Sequence, residues 1–392
     1  MESNANVLET LAKLVSIPSV NPNYTDGVGE SEIADWVFQY FRSKNIHVER
    51  QDVLADRFNV IAKIPGRNCK RRILLEAHLD TVSAQGMKID PYSPTIKNGR
   101  LYGRGACDTK AGLSAMMHAM IQLSASQCRV LPEVWLVATV DEEYSYRGVA
   151  KFCEIYQAAD AAIVAEPTQL RSIIASKGLL RFKVITDGVS AHSAKPHLGE
   201  NAILQMSSVI EAIRLDTLAL EKNRHPLLGS ATCNIGVIQG GTQINFVPDR
   251  CKIEVDRRLL PNEDYQTVWN HYQRVIDGVM QADARIQARL LPPLLTDEPL
   301  STNPDDHAVR VMSHVLEQHH LPSDPDGVPF CSDASKFGTV GIPAIILGPG
   351  NIDQAHSAVE YVECSQVEQA VEIYRDFVIH YASLPLSEGT IQ

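Results

Sequence analysis

The chain has 392 residues, 44% hydrophobic and 21% charged, the proportions of a folded globular protein too long for one simple core. Its formal net charge of -11 argues against nucleic acid or an anionic membrane as partner, and no apolar run approaches the ~20 residues that cross a bilayer. The opening stretch "MESNANVLETLAKL" lacks the basic and apolar regions of a secretion signal, and eight cysteines without a CxxC pair read as reduced thiols, so a cytoplasmic protein is expected.

"VLETLAKLVSI" carries apolar residues at helical spacing and stops before Pro18. "SEIADWVFQYFRSK" predicts a second amphipathic helix, with a strand after it near "IHVERQDV". "NVIAKIPG" and "RILLEAHLDTV" read as consecutive strands, and "TKAGLSAMMHAMIQLSAS" as a long helix rich in Ala and Met. "PEVWLVATVDEE" and "AAIVAEPT" are apolar runs that each end in acids. This alternation predicts an α/β layer, a mixed and mostly parallel sheet flanked by helices. In such sheets ligands sit beyond the carboxyl ends of the strands.

After residue 178 the pattern changes. "LLRFKVITDG", "ATCNIGVIQGG" and "RCKIEVDRRLLP" alternate as half-buried strands do, and "GENAILQMSSVIEAIRLDTLALE" reads as a helix between the first two. The α/β pattern resumes with the helix "DHAVRVMSHVLEQHH" and the strand "PAIILGPG". The expected organisation is a domain over 1–178 and 291–392, interrupted by an inserted α+β domain over 179–290.

Three apolar strands run into ionisable groups: "LLEAHLD", "VATVDEE" and "AIVAEPT". The Gly-rich stretch "LYGRGACDTKAG" and the loop "LGPGNIDQAHS" add an aspartate and a histidine. Singly each has an ordinary reading: His78 as a satisfied core histidine, Asp108 as a helix cap, Glu142 and Glu143 as a solvated strand end, Glu166 as a strand terminus, His356 as a surface residue. Together they fall at one edge of the sheet, where converging carboxylates repel and shift one another's pKa values. A cation removes that conflict. Two imidazoles with three carboxylates suit a pair of divalent ions, most simply Zn²⁺ with Co²⁺ as the alternative, provided one carboxylate bridges. Asp108, on a tight Gly-rich turn, can approach both.

In order, "HLDTV", "GRGACDTKAG", "DEE", "AEPT", "GVSAHSAKPHLGENAI" and "GPGNIDQAH" resemble the metallopeptidase M20 family along nearly the whole chain. That family includes acetylornithine deacetylases, succinyl-diaminopimelate desuccinylases, aminoacylases and glutamate carboxypeptidases. The resemblance implies one metal held by His78, Asp108 and Glu166, and a second by Asp108, Glu143 and His356. Asp80, two residues after His78 on the same strand face, is expected to orient the imidazole. Glu142 resembles the general base, which takes a proton from the attacking water and passes it to the leaving nitrogen. Alternation along an extended strand is the expected reason that Glu142 and Glu143 part.

For the insertion, the resemblance implies a lid that also forms a homodimer. His192 would reach the neighbouring subunit's site and donate to the oxyanion, while Arg258 and Asn245 would bind the substrate carboxylate. A register error of one residue would exchange Arg258 with Arg257. Ser332 and Asp333 lie in a variable stretch and are expected either to face the substrate or to form a capping turn. The expected substrate is a small N-acyl amino acid. "LGPGNIDQAH", "AEPTQL" and "HLGENAI" resemble the acetylornithine deacetylases most, with desuccinylase, aminoacylase and carboxypeptidase activities as alternatives. A serine or cysteine hydrolase, using Ser190 or Cys107, is disfavoured because no GxSxG elbow is present. A non-catalytic binding protein is disfavoured because every expected ligand and the base are present.

Overall fold

The strands Arg72–His78 and Glu133–Thr139 bury every residue after the first, and Ala161–Val164 and Ala344–Ile346 are buried throughout. Strands covered on both faces read as unbroken apolar runs, which is how these four are written. They run parallel, in the order Glu133–Thr139, Arg72–His78, Ala161–Val164, Ala344–Ile346. Arg57–Ile64 pairs antiparallel with Glu133–Thr139, and His47–Leu54 pairs antiparallel with Arg57–Ile64. The sheet is therefore mixed and mostly parallel, and the carboxyl ends of its four parallel strands share one edge. The structure is a computed structural model that describes residues 6–383; residues 1–5, at the head of the N-terminal stretch read for a secretion signal, lie outside the described residues.

The chain divides into two compact units. The first ends at Ile174 and resumes over Thr302–Asp326 and from Ser332; the second comprises Ala175–Ser301 and Gly327–Cys331. The first unit holds the sheet above with the helices Val7–Val15, Ser31–Ser43, Lys110–Ala125, Arg147–Ile155, His307–Gln318, Ala334–Thr339 and Cys364–Ser383. Of these, Lys110–Ala125 is the most deeply sunk. It buries Ala111, Leu113, Met116, Met117, Met120 and Leu123, and it packs against both Arg72–His78 and Cys364–Ser383.

In the second unit the strands Thr232–Gly240, Arg250–Leu259 and Gly178–Asp187 pair antiparallel. Ala288–Leu290 and Leu295–Asp297 complete the sheet beside Gly178–Asp187. One face packs on the helices Ala202–Leu220 and Tyr265–Ala282 through Leu180, Phe182, Val184, Met206, Val209, Ile213, Tyr272 and Ile276. Arg250–Leu259 alternates strictly, with Cys251, Ile253, Val255, Arg257 and Leu259 buried. Arg257 and Arg258 thus lie on opposite faces of that strand.

Candidate metal centre

The site forms where the parallel strands end. His78 is the last residue of its strand, Asp108 closes the Gly-rich loop just before the helix Lys110–Ala125, and Glu166 follows Ala161–Val164 by two residues. Glu142 and Glu143 follow Thr139, and His356 stands in the loop after Ala344–Ile346. The structure brings all six together. His78 Nε2 lies 3.0 Å from Asp108 Oδ1 and 4.0 Å from Glu142 Oε2. Asp108 Oδ2 lies 3.4 Å from His356 Nε2, so the two oxygens of one carboxylate face the two imidazoles. His356 Nε2 is also 3.2 Å from Glu143.

Potential ligand atoms of His78, Glu142 and Glu166 lie within 4.8 Å of one another, as do those of His78, Asp108 and Glu143. His78, Asp108 and Glu166 are buried, whereas the His356 side chain is about half exposed. Burial pushes Glu142 and Glu166 well above the usual carboxylate range, and the neighbouring carboxylates push them further. Hydrogen bonds to Asp108 and Glu143 hold His356 up at about 10. Buried acids that raise one another in this way make a pocket selective for positive charge. The donors are imidazole and carboxylate oxygen without a thiol, a set that suits two divalent ions.

Asp80 meets the His78 imidazole mainly through its backbone. The strand stops at His78, so same-face alternation does not extend to Asp80. His78 Nδ1 meets the backbone carbonyl of Asp80 at 2.9 Å, while the nearer carboxylate oxygen is 3.7 Å away. The Asp80 carboxylate also accepts the N–H of Glu142 at 3.0 Å and of Glu143 at 3.1 Å. The reason expected for parting Glu142 from Glu143 also falls. Their strand ends at Thr139, Asp141 takes a positive φ of 73°, and the two glutamates diverge from a turn.

Two supporting groups escaped the sequence reading. Glu360, fully buried, accepts the N–H groups of Gly105, Cys107 and Asp108 at 2.9–3.1 Å and is paired with Arg104 at 2.6 Å. It fixes the loop that presents Asp108. Asn21 bridges Asp80 and Asp141. Neither sits at the end of an apolar strand, so neither carried the signal that marked the others.

Ser332, Asp333, His192, Arg258 and Asn245 are the further candidates. Ser332 is buried, and its hydroxyl accepts the Ala334 N–H at 3.4 Å. Asp333 is 1% exposed, with its carboxyl 2.9 Å from Thr139 Oγ1, whose hydroxyl also reaches Glu76 at 2.6 Å. Of the two expectations for Asp333, facing the substrate does not hold: the start of the helix Ala334–Thr339 tucks it into the interior. His192, Asn245 and Arg258 belong to the second unit. His192 and Asn245 are exposed, and Arg258 Nε pairs with Asp256 at 2.8 Å.

Residues 74–380 match the family model described as peptidase family M20/M25/M40. An acetylornithine deacetylase of Myxococcus xanthus is 30% identical over 95% of this chain and 96% of its own length. A Staphylococcus aureus tripeptidase superposes with a TM-score of 0.82 at 21% identity, covering 97% of this chain and 98% of its own. A dinuclear metal-binding peptidase of family M20 from Bacillus subtilis superposes at 0.72 with 16% identity, covering 96% and 98%. A family match over most of the chain, together with a cluster of imidazoles and carboxylates at the sheet edge, makes this hydrolase a member of peptidase family M20/M25/M40.

Proposed function

We propose that the chain is a dinuclear metal-dependent deacetylase that converts N2-acetyl-L-ornithine and water to L-ornithine and acetate, the step that serves arginine biosynthesis in the cytoplasm. The observation that carries the dinuclear reading is Asp108, whose two carboxylate oxygens face His78 and His356 separately. His78, Asp108 and Glu166 would hold one ion, and Asp108, Glu143 and His356 the other. Zn²⁺ fits this donor set best and Co²⁺ is the alternative. When bound, the ions supply Lewis-acid polarisation of the scissile amide carbonyl and an acidified water.

The other steps belong to side chains. Glu142 lies beside His78 without being needed to complete either ligand set, and it takes the proton of the attacking water and delivers it to the departing nitrogen. Asp80 holds the backbone of Glu142 and Glu143 and so fixes where both carboxylates point. Arg258 offers a planar, two-pronged partner for the substrate α-carboxylate, Asn245 a further hydrogen bond, and His192 a donor to the oxyanion.

The second unit supplies the surface for a homodimer. Its helix Ala202–Leu220 exposes Leu204, Leu215 and Leu218, and the edge strand Thr232–Gly240 exposes Val237 and Ile238. An exposed apolar edge strand beside an apolar helix face is a surface that pairs with another copy.

N2-acetyl-L-ornithine is favoured because the Myxococcus xanthus relative, 30% identical over 95% of this chain, is an acetylornithine deacetylase. The test is kcat/KM measured across N-acetyl-ornithine, N-succinyl-diaminopimelate, neutral N-acetyl amino acids and di- and tripeptides. N-acetyl-ornithine is expected to lead. A tenfold lead for any other compound, about 1.4 kcal/mol of transition-state preference, contradicts the substrate assignment.

A further inference from the structure

Behind the turn that displays Glu142 and Glu143 lies a buried polar network without a role in the steps above. Glu30 and Asp141 are fully buried, and Arg57 nearly so. The Arg57 guanidinium forks onto Glu30, Nε to Oε2 at 2.7 Å and Nη2 to Oε1 at 2.5 Å. Its Nη2 also donates to Asp141 Oδ1 at 2.9 Å. The Asp141 N–H donates back to Glu30 Oε1 at 3.2 Å. Asp141 accepts two further donors, the Arg147 guanidinium and Asn21 Nδ2, the latter at 3.0 Å. The same Asn21 amide donates to Asp80 Oδ2 at 2.8 Å, and Asp80 holds the N–H groups of Glu142 and Glu143.

The chain of contacts therefore runs from Glu30 through Arg57, Asp141, Asn21 and Asp80 to the backbone of the two glutamates. It grips the turn from both sides. Asp141 needs that grip, because its φ of 73° is uncommon for a residue with a side chain and persists only where the surroundings impose it. Three carboxylate oxygens must be met at fixed angles by one cation: two of Glu30 and one of Asp141. A planar guanidinium does this and an ammonium does not.

We propose that Arg57 and Asn21 are positioning residues for the hydrolysis, setting the direction of the Glu142 carboxylate through the turn beginning at Asp141. The inference rests on Glu142 being the base. The competing explanation is that the network only stabilises the fold, since breaking a buried ion pair is costly in any protein. Loss of activity alone does not separate the two, so the test is a double-mutant cycle against Glu142.

Arg57→Lys keeps the charge and loses the fork; Asn21→Ala removes a neutral group and carries the same test if Arg57→Lys does not fold. Each is made in the wild-type and the Glu142→Ala background, loaded with metal and assayed below its unfolding temperature. The expected result in the wild-type background, compared at full metal loading, is a fall in kcat of roughly 10–100-fold, the usual effect of an outer-layer partner. KM is expected to change by less than about threefold, because ground-state binding is not what the network sets. In the Glu142→Ala background neither variant lowers the residual kcat further. An unchanged kcat in the wild-type background, or an equal fall in both backgrounds, overturns the inference while leaving Glu142 as base. Normal turnover by Glu142→Ala alone removes the base, and the inference with it.

Discussion

Glu142 and Glu143 are neighbours with different expected fates on substitution. Glu143 sits within 3.2 Å of His356 and in the ligand group of His78 and Asp108, whereas Glu142 lies near His78 and Glu166, 4.0 Å from the His78 ring, and makes no contact with His356 within hydrogen-bond distance. Glu142→Ala is expected to retain bound metal while kcat falls by roughly 10²–10⁴-fold, the contribution of a positioned proton transfer. Metal analysis alongside steady-state kinetics checks this, and loss of metal or near-normal turnover contradicts the assignment. The positions of His78, Asp108, Glu166 and His356 were legible because each interrupts an apolar or Gly-rich run with a group too costly to bury alone. The partners of Asp80 were not legible. They depend on where the strand Glu133–Thr139 stops and on a turn through Asp141 that no local signal announces. Asp333, expected either to face the substrate or to cap a turn, is instead folded inward against Thr139.

At the scale of elements, the helix Lys110–Ala125 approaches the strand end at Ala165 so closely that only glycine fits between them. A Cβ added at Gly112 would meet Ala165 Cβ at 2.5 Å. Thr109 Oγ1 donates to the Ala165 carbonyl at 2.8 Å, so this contact ties the loop carrying Asp108 to the residue before Glu166. Gly112→Ala would gain about 1 kcal/mol of helix propensity. The clash is with a methyl that cannot rotate away, and overpacking costs about 1–3 kcal/mol. The clash is expected to win, lowering the denaturant midpoint; an unchanged or raised midpoint would mean the helix can shift freely. The parallel strands were legible from their unbroken apolar runs. The helix Cys364–Ser383 was not among the expected elements, although Val367, Ala370, Val371, Tyr374, Phe377, Val378 and Tyr381 are buried at helical spacing. It follows directly on the strand Tyr361–Glu363 with no loop between, so no breaker marks its start. In the second unit the strict alternation of Arg250–Leu259 buries Arg257 and turns Arg258 to the other face.

At the scale of the whole molecule, the proposed dimer makes a claim about where His192 acts. If it serves the partner's site, inactive His192→Ala and inactive Glu142→Ala protomers complement each other when mixed. With random exchange half the dimers are mixed and each holds one intact site, so up to about a quarter of wild-type activity is expected. No recovery after verified subunit exchange contradicts action across an interface. The central claim is that hydrolysis requires two ions held at the sheet edge, and it is tested most directly by metal titration. Protein stripped with a chelator is titrated with Zn²⁺ while hydrolysis of N-acetyl-ornithine and bound metal are followed together. The expected result is no turnover in the stripped protein and full turnover at two equivalents bound; full turnover by the metal-free protein would contradict the account.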